Sequence, residues 1–257
     1  MINKRLHSLL VIILLFAFWE SVFHLFNLKW YLLPPPSMIF VSISNNAYLL
    51  FLSLLTTLKI AILALGLSVI ISTSFAIIFY FSKFIEKSMT PITVILQVTP
   101  IIAIAPLISI WVDDSEVATL ICAFLVAFFP LLANTIAGLK STEKNHLELV
   151  RLYGASKIQI LRFVVIPNAS PYFLSGLKIS SGLALIGAIV GEFVIGPISG
   201  HSGLAYRIIE SGYQLDIPKM FGAVFLISLS GIILFNIVRL ISYLILRKWH
   251  SSYQQVD

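Results

Sequence analysis

The chain has 257 residues, of which 59% are hydrophobic and 11% charged, against about 45–50% and about 25% in soluble domains. Both values depart in the direction that excludes an ordinary soluble domain, and the apolar content also excludes intrinsic disorder. The single cysteine, Cys122, excludes a disulfide framework and a multi-cysteine metal cluster. What remains is an all-α integral membrane protein. At about 20 apolar residues per span, this length holds about six transmembrane helices and no separate soluble catalytic domain.

Six apolar stretches are long enough to cross a bilayer, at residues 8–27, 57–81, 89–111, 117–138, 172–196 and 219–246. The first follows Lys4 and Arg5 but lacks a small-residue cleavage site; Leu28-Lys29-Trp30-Tyr31 comes next, so it reads as a retained helix. After it, Pro34-Pro35-Pro36 stiffens the chain and Ser37 is placed to cap a helix starting near Met38. Gln97, Thr99 and Pro100 are a polar interruption of the third span, and Pro100 frees a backbone carbonyl that protein or cavity water must satisfy. Pro106 and Pro130 are candidate kinks. Residues 197–217, with Pro197, Gly200 and Gly203, read as an outer loop or re-entrant turn.

The net charge is +6, and its distribution explains it. Lys4, Arg5, Lys83, Lys87, Lys140, Lys144, Arg151, Lys157, Arg162, Arg247 and Lys248 fall on one side, facing only Lys29, Lys59, Arg207 and Lys219 on the other. The positive-inside rule puts both termini in the cytoplasm. Topology accounts for the basic balance, and no nucleic-acid partner is implied. Lys178 and Arg239 lie inside spans, near their cytoplasmic ends.

Residues 139–171 form the longest cytoplasmic connection. Its first part is rich in helix formers and ends at Gly154, which can take a left-handed conformation. Ser156 and Gln159 then have the spacing of a capping box. The second helix is expected to run past Phe163 and stop by Pro167, with Ser170-Pro171 starting the next span. The connection thus reads as two short helices around a glycine turn.

The fifth span carries Gly176, Ser180, Ala184, Gly187 and Gly191 on one face. Such a face suits close helix packing within the chain, a pore wall, or contact with a second subunit. Glu192, near the outer end of that span, and Glu20 with His24 in the first, reach the interface or face a pathway. The chain has no P-loop, no His-Glu-x-x-His and no Gly-x-Ser-x-Gly, and its five histidines are scattered, so neither catalytic chemistry nor a metal site is expected.

Glu148, Gly154 six residues on, and Val164, Ile166 and Pro167 resemble the EAA loop of binding-protein-dependent ABC importer permeases. In that pattern Glu-Ala-Ala is followed by Gly and then by Ile-x-Leu-Pro. Leu149-Val150 stands here for the two alanines, and Val164 and Ile166 for Ile and Leu. The resemblance extends to Leu33-Pro34-Pro35-Pro36-Ser37, Gln97-Val98-Thr99-Pro100, Phe128-Phe129-Pro130, Asn134-Thr135, Gly176-Leu177-Lys178 and Glu192, in family order. The nearest branch is that of nitrate/sulfonate/taurine and pyrimidine-precursor permeases.

The resemblance implies a permease that binds no cofactor itself, with ATP and Mg held by a partner ATPase. The implied partners are two copies of an ABC ATP-binding subunit, a second permease copy as a homodimer, an extracytoplasmic substrate-binding protein and the bilayer of the cell membrane. It also implies that Glu148, Gly154, Ala155, Ser156, Val164, Ile166 and Pro167 couple to the ATPase. The implied substrate is a small organic anion or a pyrimidine-like heterocycle. The alternative is an ion-gradient-driven secondary transporter, which would need repeats and an ion site. An intramembrane enzyme would need clustered reactive groups.

Overall fold

The computed structural model describes residues 2–198 and 202–247, without the side chains of residues 2–6, 8 and 9. Gly200, His201, Lys248 and His250 lie outside the described residues, as do the side chains of Lys4 and Arg5. The described residues form helices joined by short turns. They are α1 (Ile2–Leu25), α2 (Pro36–Asn45), α3 (Ala47–Phe81), α4 (Lys83–Val98), α5 (Ile101–Trp111), α6 (Ser115–Lys140), α7 (Lys144–Leu152), α8 (Lys157–Ile160), α9 (Ile166–Ile195), α10 (Leu204–Tyr213) and α11 (Ile217–Leu246).

Four of these are long and apolar enough to span a membrane: α3, α6, the stretch Lys157–Ile195 that includes α9, and α11. α4 and α5 pass that test only as a pair and meet at a bend of 100°, so the third expected span is a broken one. Pro100 explains the break, because it supplies no N–H to the carbonyl of Leu96. α1 is a helix of 24 residues, of which the apolar stretch Leu10–Leu25 has described side chains. Among the described residues, four helices pass as full spans, or five counting the bent pair.

α3 begins ten residues earlier than its apolar run, at Ala47. Its 35 residues reach about 52 Å at 1.5 Å per residue, well beyond a hydrocarbon core of about 30 Å. Ser37 does not cap α2: the N-cap is Pro35, with Pro36 at the first helical position. The expected loop at 197–217 instead contains α10.

The centre of the molecule is the seam between α6 and α9, the most extensively packed pair. A Cβ on Gly187 would stand 2.7 Å from the Ala123 Cα, and one on Gly191 2.8 Å from the Thr119 side chain. Gly176 meets Asn134 in the same way, at 2.7 Å. The Ser180 hydroxyl donates across the seam to the Ala127 carbonyl at 2.7 Å. Lipid offers helices no hydrophobic drive to associate, so close backbone approach and such hydrogen bonds hold them together. α3 closes the core against both helices, where Ile60, Ala61 and Ala64 join Ala123, Ala127, Ala184 and Ala188.

Gly187→Ala must push α6 and α9 apart. It should lower stability in detergent by about 1–3 kcal/mol, read as a lowered melting temperature. Gly182→Ala, where a Cβ meets nothing within 4 Å, should be neutral or slightly stabilising.

Candidate functional site

Three features gather the residues singled out by sequence. The first is the projection made by α7 and α8. α7 ends at Leu152; Gly154 at φ 79° reverses the chain, and its N–H bonds the Arg151 carbonyl at 2.9 Å. That positive φ is what a Cβ disfavours. Ser156 and Gln159 then form the expected capping box, the Ser156 N–H reaching the Gln159 side chain at 2.8 Å. Ala155 is half-buried, packed with Ile160, Leu161 and Val165. Glu148 is exposed. Around the turn, Leu152 is 85% and Tyr153 84% exposed, with Leu149 and Ile158 exposed beside them.

The second helix does not stop at Pro167. α8 passes into a π-helical turn at Leu161–Val165, and the Ile166 N–H reaches back five residues to the Leu161 carbonyl. The wider turn relieves the clash a proline ring makes with the carbonyl four residues before it, and α9 continues through Pro167. Nor do Ser170 and Pro171 start a helix. Pro171 lies inside α9, and the Ser170 hydroxyl donates at 2.8 Å to the Pro167 carbonyl that Pro171 leaves without a donor. Val164 and Pro167 are half-buried and Ile166 is exposed. The projection is thus joined to a spanning helix without a hinge.

The second feature is the bend between α4 and α5. Gln97, Thr99 and Pro100 line a cavity of about 360 Å³ closed on its other side by Val126, Phe129 and Pro130 of α6. The Thr99 hydroxyl donates to the Ile95 carbonyl at 2.7 Å. No residue of α4 is buried.

The third is Glu192, which is 0% exposed. Its carboxyl accepts from the Thr57 hydroxyl at 2.7 Å and from the Ala205 N–H at 2.9 Å, while the Leu204 N–H donates to Thr57 at 2.9 Å. Gly203 leaves α10 without a side-chain cap. Glu192 of α9 and Thr57 of α3 supply one from other helices, satisfying N–H groups that every helix start leaves open. A Cβ at Gly203 would collide with the Glu192 carboxyl. Glu192 is therefore held inside the fold. Gly176, Ser180, Ala184, Gly187 and Gly191 are likewise buried, the three glycines and Ser180 against α6.

Glu20 and Ser37 repeat the arrangement. Glu20 of α1 accepts from the Ser37 N–H at 3.0 Å and its hydroxyl at 2.7 Å, capping α2 from outside, with His24 at 3.3 Å. Thr57 was not singled out by sequence, and Gly203 was named only as a residue of the 197–217 loop. A membrane-depth threonine and a glycine before an amphipathic decapeptide were their only signals.

Residues 64–250 match the family described as binding-protein-dependent transport system inner membrane component. The chain is 32% identical over 244 residues to the formylaminopyrimidine transport permease protein ThiX of Halalkalibacterium halodurans, covering 95% of this chain and 96% of that one. It is 29% identical over 245 residues to the riboflavin transport system permease protein RibX of Chloroflexus aurantiacus, covering 94% and 89%. It is 25% identical over 247 residues to the taurine transport system permease protein TauC of Escherichia coli, covering 93% and 88%. The chain belongs to the binding-protein-dependent inner-membrane family and is a multi-pass permease subunit of an ABC transporter, of the branch the sequence pointed to. A gradient-driven secondary transporter is not favoured.

Glu192→Leu leaves the Ala205 N–H and Thr57 hydroxyl without their acceptor, at about 1–3 kcal/mol for each group. α10 should then loosen, and trypsin should cleave at Arg207 in detergent-solubilised protein. Glu192→Gln, which keeps an acceptor oxygen, should stay more protected.

Proposed function

We propose that two copies of this permease form the pathway of an importer, with both termini in the cytoplasm. Two ATPase subunits drive it, holding the ATP and Mg that this chain does not bind, and an extracytoplasmic binding protein delivers the solute. The observation that supports this most strongly is the projection at 144–167. It exposes Leu149, Leu152, Tyr153 and Ile158 around one turn and runs unbroken into a spanning helix. Large apolar side chains on a basic, water-facing loop fit a groove on a partner protein.

In this reading Glu148, an acceptor-only group, meets a donor on the ATPase, and Gly154 allows the tight turn against it. Ala155 and Ser156 fix the start of the second helix, while Val164, Ile166 and Pro167 lie in or beside the π-turn that joins the lever to α9. ATP binding draws the two ATPases together, and the two projections follow as rigid bodies. Gln97, Thr99 and Pro100 line the pathway at the bend. The solute is a small organic anion of the nitrate, sulfonate or taurine kind, or a pyrimidine- or thiamine-precursor-like heterocycle. Relatives named for taurine, formylaminopyrimidine and riboflavin support both classes.

The deciding experiment co-expresses the tagged chain with its ATPase subunit and weighs the gently solubilised complex. Two permeases with two ATPases are expected. Gly154→Asp should release the ATPase and abolish ATP-dependent uptake while leaving membrane insertion intact. Wild-type uptake in that variant would sink the coupling assignment.

A further inference from the structure

The projection has two stems, and they are built differently. On the α9 side the chain is helical without interruption from Lys157 through the π-turn into α9. On the α6 side it is broken. α6 ends at Lys140, α7 begins at Lys144, and Glu143 at the start of α7 makes no side-chain cap. Leu147 and Val150 pack α7 onto the cluster of Ile160, Leu161 and Val165. Apolar burial holds a helix down but is non-directional, so it does not fix the angle at which α7 leaves α6.

Asn168 of α9 spans this break. Its side-chain nitrogen donates to the Ser141 hydroxyl at 3.1 Å and to the Thr142 hydroxyl at 3.2 Å. The Ser141 hydroxyl itself donates at 2.8 Å to the Gly138 carbonyl. Its one proton is committed there, so toward Asn168 it can only accept. Position 168 therefore needs an N–H donor, and a carboxylate would set lone pair against lone pair at Ser141. Thr142 is buried, while Asn168 is exposed, so replacing Asn168 opens no cavity.

The same point gathers the neighbouring helices. A Cβ on Gly138 would stand 2.8 Å from the Tyr172 Cβ and 2.9 Å from the Ala169 carbonyl oxygen, so the end of α6 already touches the start of α9. Lys140, just before Ser141, pairs with Glu86 of α4. Asn168 thus ties the broken stem to the place where α4, α6 and α9 meet.

We propose that Asn168 is a positioning residue for coupling: it fixes the angle of α7 on the α6–α9 pair. Force from the ATPase on the exposed face of α7 then turns those helices instead of bending the stem at 141–143. The proposal rests on the permease reading above and adds to it a residue outside the Glu148–Pro167 pattern.

The test uses the full chain co-purified with its ATPase subunit in nanodiscs. Tyr213→Cys, at a position 87% exposed at the end of α10, reports from the far end of α9; Cys122, the chain's own thiol, is buried. The modification rate of Cys at 213 by a polar maleimide is followed by mass spectrometry, without nucleotide and with ATP and vanadate. In the parent the rate should change with nucleotide. Asn168→Leu and Asn168→Asp should lose that change while ATP hydrolysis, ATPase co-purification and melting temperature stay at the parent's level. Asn168→Gln, which keeps the donor, should retain most of it. Ser141→Ala should weaken it in part and add nothing on top of Asn168→Leu, as expected for two residues of one bond.

A full nucleotide response in Asn168→Leu would overturn the proposal. So would loss of the response together with melting temperature or ATPase binding, which marks a merely structural residue, and so would a parent with ATPase bound whose position 213 ignores nucleotide. Failure of the permease reading shows separately, as a parent chain that retains no ATPase.

Discussion

The structure depends on how closely α6 and α9 approach. At Gly176, Gly187 and Gly191 the space a Cβ would need is taken by α6 itself, at Gly187 by its backbone. In a membrane this contact cannot draw on expulsion of water. It rests on dispersion between well-fitted surfaces and on hydrogen bonds such as that from Ser180 to the Ala127 carbonyl. The nearest atom to each of these glycines is a main-chain atom or a side-chain atom close to the main chain, which cannot swing aside as the far end of a long side chain can. α3 packs against both α6 and α9 through further small residues, Ala61, Ala64 and Ser68, the last donating to the Ala64 carbonyl of the same helix. The three helices form a stiff slab from which the other elements hang.

Two of those elements are the short helices α2 and α10, and they are fixed by one device. Neither has a capping side chain at its start, where Pro35 and Gly203 stand. Each takes a carboxyl from a neighbouring long helix instead: Glu20 bonds the second helical N–H of α2, and Glu192 that of α10. A carboxyl at a helix start satisfies open donors and meets the positive end of the helix dipole. It also ties the short helix to the spanning one at a fixed point. That resolves why ionisable groups stand at these depths. Glu192 is a buried fastener, and the room for its carboxyl exists because residue 203 is glycine.

Much of this was legible in the sequence, for identifiable reasons. The apolar runs at α3, α6, α9 and α11 follow from composition over a long window. The Gly154 turn and the Ser156–Gln159 box follow from local chemistry, and both stand as expected. The misreadings came where a proline was taken as a stop. A proline ends a helix only if nothing compensates its missing N–H, and that depends on geometry several residues away. At Pro167 the compensation is a π-turn, and for Pro171 it is the Ser170 hydroxyl. At Pro100 the helix does break, and the 100° bend turns an expected straight span into an elbow. The partner of Glu192 was illegible for another reason: Thr57 lies 135 residues away, and no short-range pattern joins them.

These details locate where the molecule can move. A load applied to α7 passes through the Gly154 turn and the capping box into α8, then through a continuous helical path into α9. At α9 it meets the glycine seam, where sliding against α6 would drive backbone into backbone. α9 and α6 must therefore move together, carrying α3 and, through Glu192, α10. The α4–α5 elbow is attached to this slab unevenly, α5 packing on α6 and α9 while α4 touches α3 and α6 only lightly. α4 has no buried residue, α5 has only Ala105 and Ile108, and the bend between them lacks a continuous ladder. Packed interiors respond to force as rigid bodies, and displacement collects where packing is thinnest. α4 is one such place, and the cavity lined by Gln97 and Thr99 lies at its junction with α5. Continuity at the projection and the bend at the elbow are thus two consequences of how the chain treats its prolines: compensated at Pro167 and Pro171, and left open at Pro100.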